Sequence, residues 1–337
     1  MNARLAVIGW SFWERLRSWC ISADVHLAKP RDRGFGLRAV WLPAIALLIA
    51  STAAAQSPPL EHLTVTVDGH PLAVWARRPA HPHAAILFVH GRTWSARPDF
   101  DLQVPGEPRS MLEAFAARGY AAYAVDLRGY GATPRDPSGW TTFNQSAADV
   151  AAVLGWIHDQ APSLPAPALF GWSRGSSVSQ LVAQQWPARM SALVVIGYWL
   201  DPDSTFAPDT THGTPGVVKN TAEAAASDFI MPGVIDDRVK QAYVQQALAA
   251  DPNLAQWWKL DELSALNPAL VHVPTLLLQG EHDPYAPTPA NARFFTRLGT
   301  ADREWVMIAG ADHAALLETT QPVVIEATIG FLERPRR

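Results

Sequence analysis

Between residues 84 and 198 short apolar runs alternate with segments of helical period, and few architectures accept that order. "AAILFVHG", "YAAYAVDLRG", "APALFG" and "SALVVIGY" are apolar at nearly every position, the pattern of strands buried on both faces. Between them "RSMLEAFAARG" places Met111, Leu112, Phe115 and Ala116 on one helical face and stops at Gly119. "SAADVAAVLGWIHDQ" reads as a helix capped by Ser146, and "GSSVSQLVAQQ" as a helix ending before Trp186-Pro187. Strands joined through helices pack as right-handed crossovers, so the fold class is α/β, a mostly parallel central sheet flanked by helices. Ahead of this pattern "HLTVTV" and "LAVWA" meet at Asp68-Gly69, a hairpin turn pair, which predicts an antiparallel start. From about 200 to 270 no strong strand appears, and Pro, Asp and Thr punctuate helical pieces such as "DDRVKQAYVQQALAA". The alternation returns with "VPTLLLQGEHD", "TPANARFFTRLG", "REWVMIAGADH" and "PVVIEATIGFLERP". The division that follows is a core of residues 56–199 and 271–337, a helical insertion over 200–270, and a separate N-terminal segment over 1–55.

That first segment has the parts of a secretory signal. Arg31, Arg33 and Arg38 precede the apolar run "AVWLPAIALLIASTAAA", which ends in small residues at Ala53–Ala55. Cleavage before Gln56 is the expectation, which makes the protein periplasmic or secreted; the alternative is an uncleaved membrane anchor, since 17 residues approach the length of a spanning helix. About 35 residues stand before the apolar run, so translation could start further along. Cys20, the single cysteine, lies in this segment, so the exported chain has no thiol for a nucleophile, a disulfide or a thiolate metal site. Hydrophobic residues make up 48% of the 337 and charged residues 17%, which describes a packed globular body rather than a disordered one. Residues 1–55 hold seven of the 27 Arg/Lys and three of the 31 Asp/Glu, leaving the remainder at a net charge of −8. That balance carries no nucleic-acid footprint and disfavours polyanionic substrates.

The chemistry centres on "LFGWSRGSSVSQ". A G-x-S-x-G match alone is weak, arising by chance in about one chain of this length in ten. Here it lies where a strand turns directly into a helix, with Gly171 and Gly175 at the two crowded positions of the turn. Such a turn holds the Ser173 hydroxyl clear of the sheet as a nucleophile. Serine needs a base, and the base an orienting acid. In open parallel sheets these groups gather just beyond the C-terminal ends of strands. His313 in "IAGADHAAL" and Asp283 in "LLLQGEHDPYAP" occupy such places, in the chain order Ser, Asp, His. Asp201 and Asp203 in "GYWLDPDS" are the rival acids. His81 and His83 read as solvated loop, His158 as a helix end and His282 as pointing away from its neighbour. Asp312 reads as turn chemistry.

An anion site completes the set. "LFVHGRTWS" brings a glycine loop near the serine, so the backbone N–H groups of Arg92 and Arg174 are the candidate oxyanion hole. Their side chains could pair with Asp99, Asp101 or Glu107, or meet a substrate carboxylate. His90 reads as a brace for the loop.

"HGRTW", "DLRGYGAT", "GWSRG", "GEHD" and "GADH", in this order, resemble the α/β-hydrolase fold superfamily over roughly residues 60–335. The resemblance implies Ser173 as nucleophile, His313 as base, Asp283 as acid and residues 200–270 as a helical cap. Thr93 departs from the proline common in that loop, and serine at 173 argues against dehalogenation or epoxide hydrolysis. The implied reaction is cleavage of a small-molecule carboxylic ester through an acyl-enzyme, with no metal or organic cofactor. A lactonase, a carbon-carbon bond hydrolase or an aminopeptidase-like enzyme could use the same triad, though the sequence shows no acidic subsite for a free amine. A noncatalytic binding module is the reading from another class. Trp94, Trp172, Trp199, Trp257 and Trp258 are candidates for an aromatic pocket wall. No stable membrane contact is expected unless the N-terminal segment is retained.

Overall fold

The Asp68-Gly69 turn sets the first part of the architecture. Both residues take positive φ, 50° and 77°, the pattern of a two-residue turn whose twist matches its flanking strands. It joins β1 (Glu61–Val67) to β2 (His70–Arg77) in antiparallel register, Glu61 opposite Ala76 and Val67 opposite His70. The computed structural model describes residues 57–335. The N-terminal targeting segment and Cys20 lie outside the described residues. Among the described residues no helix is long and apolar enough to cross a membrane.

The alternation then runs as β3 (Ala84–Val89), α1 (Ala96–Phe100), α2 (Met111–Ala116), β4 (Tyr120–Val125), the short β5 (Trp140–Thr141), α3 (Phe143–Gln160), β6 (Ala168–Trp172), α4 (Arg174–Gln185) and β7 (Ala192–Ile196). Residues 200–270 contribute α5 (Ala222–Ala226), α6 (Asp237–Ala250), β8 (Gln256–Trp257) and two 3-10 turns, after which β9 (Thr275–Gly280), α7 (Thr288–Arg297), β10 (Arg303–Ile308) and α8 (Gln321–Glu333) close the chain. One sheet holds eight strands in the order β1-β2-β4-β3-β6-β7-β9-β10. β2 is antiparallel to β1 and β4, and every pair from β4 to β10 is parallel.

Period-two side chains explain why the sheet is covered twice. In β3, Leu87 and Val89 point into a core shared with Phe143, Leu154, Leu181 and Phe294, while Ile86 and Phe88 point into one shared with Phe100, Phe115, Val324 and Phe331. Helices α3, α4 and α7 therefore cover one face, and α1, α2 and α8 the other. α3 begins three residues before the Ser146 start read from the sequence. Thr142 is extended and its hydroxyl accepts from the Gln145 N–H at 3.4 Å, so Thr142 is the cap and Ser146 is buried inside the helix. β8 pairs with β5 in parallel, Trp140 opposite Gln256, which fastens the end of the insertion to the entrance of α3.

Candidate active site

β6 runs into α4 with a single residue between them. Ser173 takes φ 54° and ψ −117°, a conformation that side chains other than glycine rarely adopt. The turn is held by Ser173 N–H donating to the Ile196 carbonyl at 2.9 Å and by Ser176 N–H donating to the Ser173 carbonyl at 3.0 Å. A Cβ at Gly171 would overlap the Gly175 carbonyl and the Ser179 hydroxyl, and one at Gly175 would overlap the carbonyls of Val89 and His90. Both glycines are therefore required by close approach, and the serine is projected beyond the strand ends.

The other two groups follow β9 and β10. His313 Nδ1 lies 2.8 Å from Asp283 Oδ2, with both side chains buried. Asp283 Oδ1 accepts from the N–H groups of Tyr285 at 2.9 Å and Ala286 at 3.2 Å. With a carboxylate as acceptor the imidazole carries its proton on Nδ1, which leaves Nε2 as the basic nitrogen. The ring is positioned from several sides. Gly197, with φ 59°, passes so close that a Cβ there would sit 2.8 Å from His313 Cε1; Trp172 Nε1 donates to the His313 carbonyl at 2.9 Å; and Tyr285 meets the ring edge-on at 5.0 Å.

The rival groups are engaged elsewhere. Asp201 pairs with Arg293 and is held down to about 2 chiefly by that hydrogen bond, and Asp203 pairs with Arg297 at 2.6 Å. His81 and His83 are exposed, His282 faces Glu281 at 3.8 Å, and His158 lies in the last turn of α3. Asp312 does more than shape a turn. Besides accepting from Ala314 N–H at 3.1 Å, its Oδ2 accepts from the N–H groups of Ile230 and Met231, each at 2.7 Å, so it ties the insertion to the histidine loop.

The loop after β3 approaches the serine closely, since a Cβ at Gly91 would touch Ser173 Cβ at 3.4 Å. His90 is buried and neutral: burial pushes it down to about 4, its Nδ1–H donates to the Gly91 carbonyl at 3.0 Å, and Nε2 accepts from Leu127 N–H at 3.1 Å. Tyr130 donates its hydroxyl to the Arg92 carbonyl, and Asp251, at the end of α6, accepts from Ser95 N–H at 2.8 Å. Arg174 opens α4, and the first N–H groups of a helix have no acceptor within it.

The ion pairs considered for the Arg92 and Arg174 side chains do not form. Asp101 is taken by Arg77 at 2.9 Å, Glu107 by Arg238 at 2.6 Å, and Asp99 is bonded to Tyr243. Asp99 is buried on α1, where the Tyr243 hydroxyl is its side-chain partner.

Ser173 and His313 open on one cavity of about 410 Å³ that also has Gly91, Arg92, Arg174 and Tyr285 in its wall. Trp94, Trp172 and Trp199 line it as well. Trp257 stands behind the wall, 5.0 Å from the Arg174 guanidinium. Trp258, the residue after β8, is not in the cavity wall: it packs on Trp140 at 5.9 Å and under the Lys259 ammonium at 4.9 Å.

The cavity also holds two acids that the sequence reading did not place there, Asp99 and Asp228. Tyr243 Oη lies 3.2 Å from Asp99 Oδ1 and 3.1 Å from Asp228 Oδ2. Burial, and then the charge of Asp228, raise Asp99 well above the carboxylate range; burial raises Asp228 to about 6 against the opposing charge of His313. The one signal for Asp99 was its place beside Phe100 on a short helix; Asp228 had none.

A protein-family model described as serine aminopeptidase, S33 (Hydrolase_4) matches residues 80–320. A thermostable monoacylglycerol lipase of Bacillus sp. (strain H-257) is 25% identical over 251 residues, covering 74% of this chain and 90% of that protein. Among solved structures, a serine hydrolase involved in carbazole degradation is similar with a TM-score of 0.55 at 18% identity, covering 81% of this chain and 99% of the other. An epoxide hydrolase from Vigna radiata is similar with a TM-score of 0.56 at 18% identity, covering 81% and 98%. Their differing chemistries on one architecture mean that the fold likeness alone carries no substrate.

Proposed function

Because the chain belongs to the serine aminopeptidase S33 family of α/β-hydrolases, we propose that it hydrolyses carboxylic esters, with Ser173 as nucleophile, His313 as base and Asp283 as orienting acid. The observation that carries this reading is the buried 2.8 Å His313–Asp283 hydrogen bond beside a cavity into which the strained Ser173 turn also opens. His313 Nε2 takes the serine proton as Oγ attacks the ester carbonyl. The tetrahedral oxyanion rests on the N–H groups of Arg92 and Arg174, and collapse expels the alcohol, which receives the proton from His313. Water, activated by the same nitrogen, then releases the acid and restores the serine. The monoacylglycerol lipase likeness agrees with an ester substrate.

Asp99 and Asp228 favour a second reading, amide cleavage next to a free amine. Its weakness is that burial drives Asp99 toward the neutral form, which leaves Asp228 as the anion available to an ammonium group. A fluorophosphonate should label Ser173, and Ser173→Ala should lower hydrolysis of p-nitrophenyl esters by about 10³-fold or more. Activity surviving Ser173→Ala in folded, unlabelled protein would sink the mechanism. Turnover of aminoacyl p-nitroanilides in preference to esters would move the assignment to the second reading.

A further inference from the structure

The Arg174 side chain has no structural role that its surroundings explain. Among the described residues its contacts are aromatic: the guanidinium lies 5.6 Å from the centre of Phe143, 5.8 Å from Trp199 and 5.0 Å from Trp257. Among the described residues it makes no ion pair and no side-chain hydrogen bond. Three features make this costly. The residue is half-buried, and desolvation lowers its guanidinium to about 10, helped by the like charge of Arg92 and opposed by the Tyr130 phenol. It stands at the N-terminus of α4, the helix end that repels a cation, and no acid occupies that first turn. Arg92, which shares the cavity wall and whose like charge acts on it, is also without an ion pair among the described residues. Buried charges in folded proteins are paired as a rule, and departures from local rules gather at functional positions.

The aromatic cage also has a purpose in this light. Trp257 Nε1 donates to Tyr130 Oη at 2.6 Å, and that hydroxyl donates to the Arg92 carbonyl, so the ring is fixed to the loop beside the serine. Rings on several sides hold a planar guanidinium still without satisfying its N–H donors. Those donors form a fork that suits a carboxylate in two-point contact.

We propose that the Arg174 guanidinium is a carboxylate-binding subsite of the catalytic cavity, and that the preferred substrates are esters bearing a free carboxylate a few bonds from the scissile carbonyl. This rests on Ser173 being the nucleophile; adjacency in the chain keeps the two groups within one small ligand. Asp99 and Asp228 share the cavity wall but form no ion pair with Arg174; both are bonded to the Tyr243 hydroxyl instead.

Two matched substrate pairs test the idea. One is mono-4-nitrophenyl adipate against its methyl diester, with the charge on the acyl side. The other is 4-acetoxybenzoate against its methyl ester, with the charge on the alcohol side. In at least one pair the wild type should show kcat/KM about tenfold or more in favour of the free acid, the size of a charge-assisted contact. Arg174→Met, which keeps the backbone N–H, should bring that ratio to one or below, and Arg174→Lys should retain part of it. A wild-type ratio of one or less in both pairs, or an unchanged ratio in Arg174→Met, overturns the subsite. Calorimetric binding of adipate to Ser173→Ala gives a readout free of turnover, and it should be lost in Ser173→Ala/Arg174→Met. If no ester is cleaved and Ser173 resists labelling, the hydrolase reading fails; adipate binding then decides the subsite by itself, and its absence overturns it. Should Arg174→Met not fold, Arg174→Gln and Arg174→Lys are read in its place.

Discussion

The two walls of the cavity are built by different means. On the sheet side, Ser173, Asp283 and His313 stand just past strand ends, and their places are set by backbone: a turn that excludes side chains at Gly171 and Gly175, and N–H groups aimed at Asp283. On the opposite side, residues 222–251 are tied down by side-chain carboxylates. Asp312 receives Ile230 and Met231, Asp251 receives Ser95 and Gly131, and Glu107 receives Arg238. Backbone packing leaves few ways to vary, whereas carboxylate ties can be changed singly. On the proposed mechanism bond cleavage belongs to the first wall, while the ties of the second can be altered without touching Ser173, Asp283 or His313.

The strongest way to break this contrast is to remove the acid of the sheet wall. Asp283→Ala should lower kcat by about 10³–10⁴-fold with the fold intact, because His313 loses both its tautomer and the charge that stabilises its protonated form. Asp201→Ala removes only an exposed pair with Arg293 and should leave kcat within about twofold. Equal losses in the two variants would dissolve the distinction between an orienting acid and a surface one. A smaller effect is expected from the insertion side. Asp312→Ala strips three backbone N–H groups, those of Ile230, Met231 and Ala314, of their acceptor, a loss of about 1–3 kcal/mol for each one left buried. Limited proteolysis should then cut near residues 227–233, with KM rising more than kcat falls. A kcat loss as deep as that of Asp283→Ala, without new cleavage, would show that Asp312 serves His313 and not the insertion.

The same contrast governs what could be read from the sequence. The sheet and the strand-end groups were legible because each leaves a local trace: a run of apolar residues, a glycine where two backbones touch, an acid or histidine directly after a strand. The walls of the cavity leave no such trace. Asp228 enters it because α6 packs on α5 and α1 and brings Tyr243 to both acids, and Asp99 because one turn of helix is buried; neither contact has a period. Trp257 and Trp258 are adjacent in sequence, and only the pairing of β8 with β5 separates the one behind Arg174 from the one on Trp140. Arg92 and Arg174 looked ready for nearby acids, yet Arg77, Arg238 and Tyr243 had taken them. Pairing preferences in a crowded loop are a competition, and a linear reading sees the candidates without the geometry that ranks them.

The finest test concerns the proton behind the Asp312 tie. Glu318 is buried, its Oε2 accepts from Asp312 N–H at 3.2 Å, and burial, reinforced by a hydrogen bond with Asp312 and by that residue's charge, raises it from an ordinary value near 4.5 to about 9. Asp312 is held low against its own burial by the hydrogen bond from Glu318 and by the N–H groups of Met231, Ala314 and Ile230. At neutral pH the pair therefore holds one proton, on Glu318. Between pH 4.5 and 9 the folded chain binds a proton that the unfolded chain has released, so stability falls as pH rises through that window. Asp126 and Asp228, each raised to about 6 mainly by burial, act in the same direction but are spent by pH 7. Glu318→Gln keeps a donor toward Asp312 without a titrating group. Its Tm should match that of the wild type within a few degrees at pH 5 and should decline less between pH 7 and 9. Parallel Tm curves across that range would mean that Glu318 is ionised in the fold, and that Asp312 holds the insertion without a shared proton.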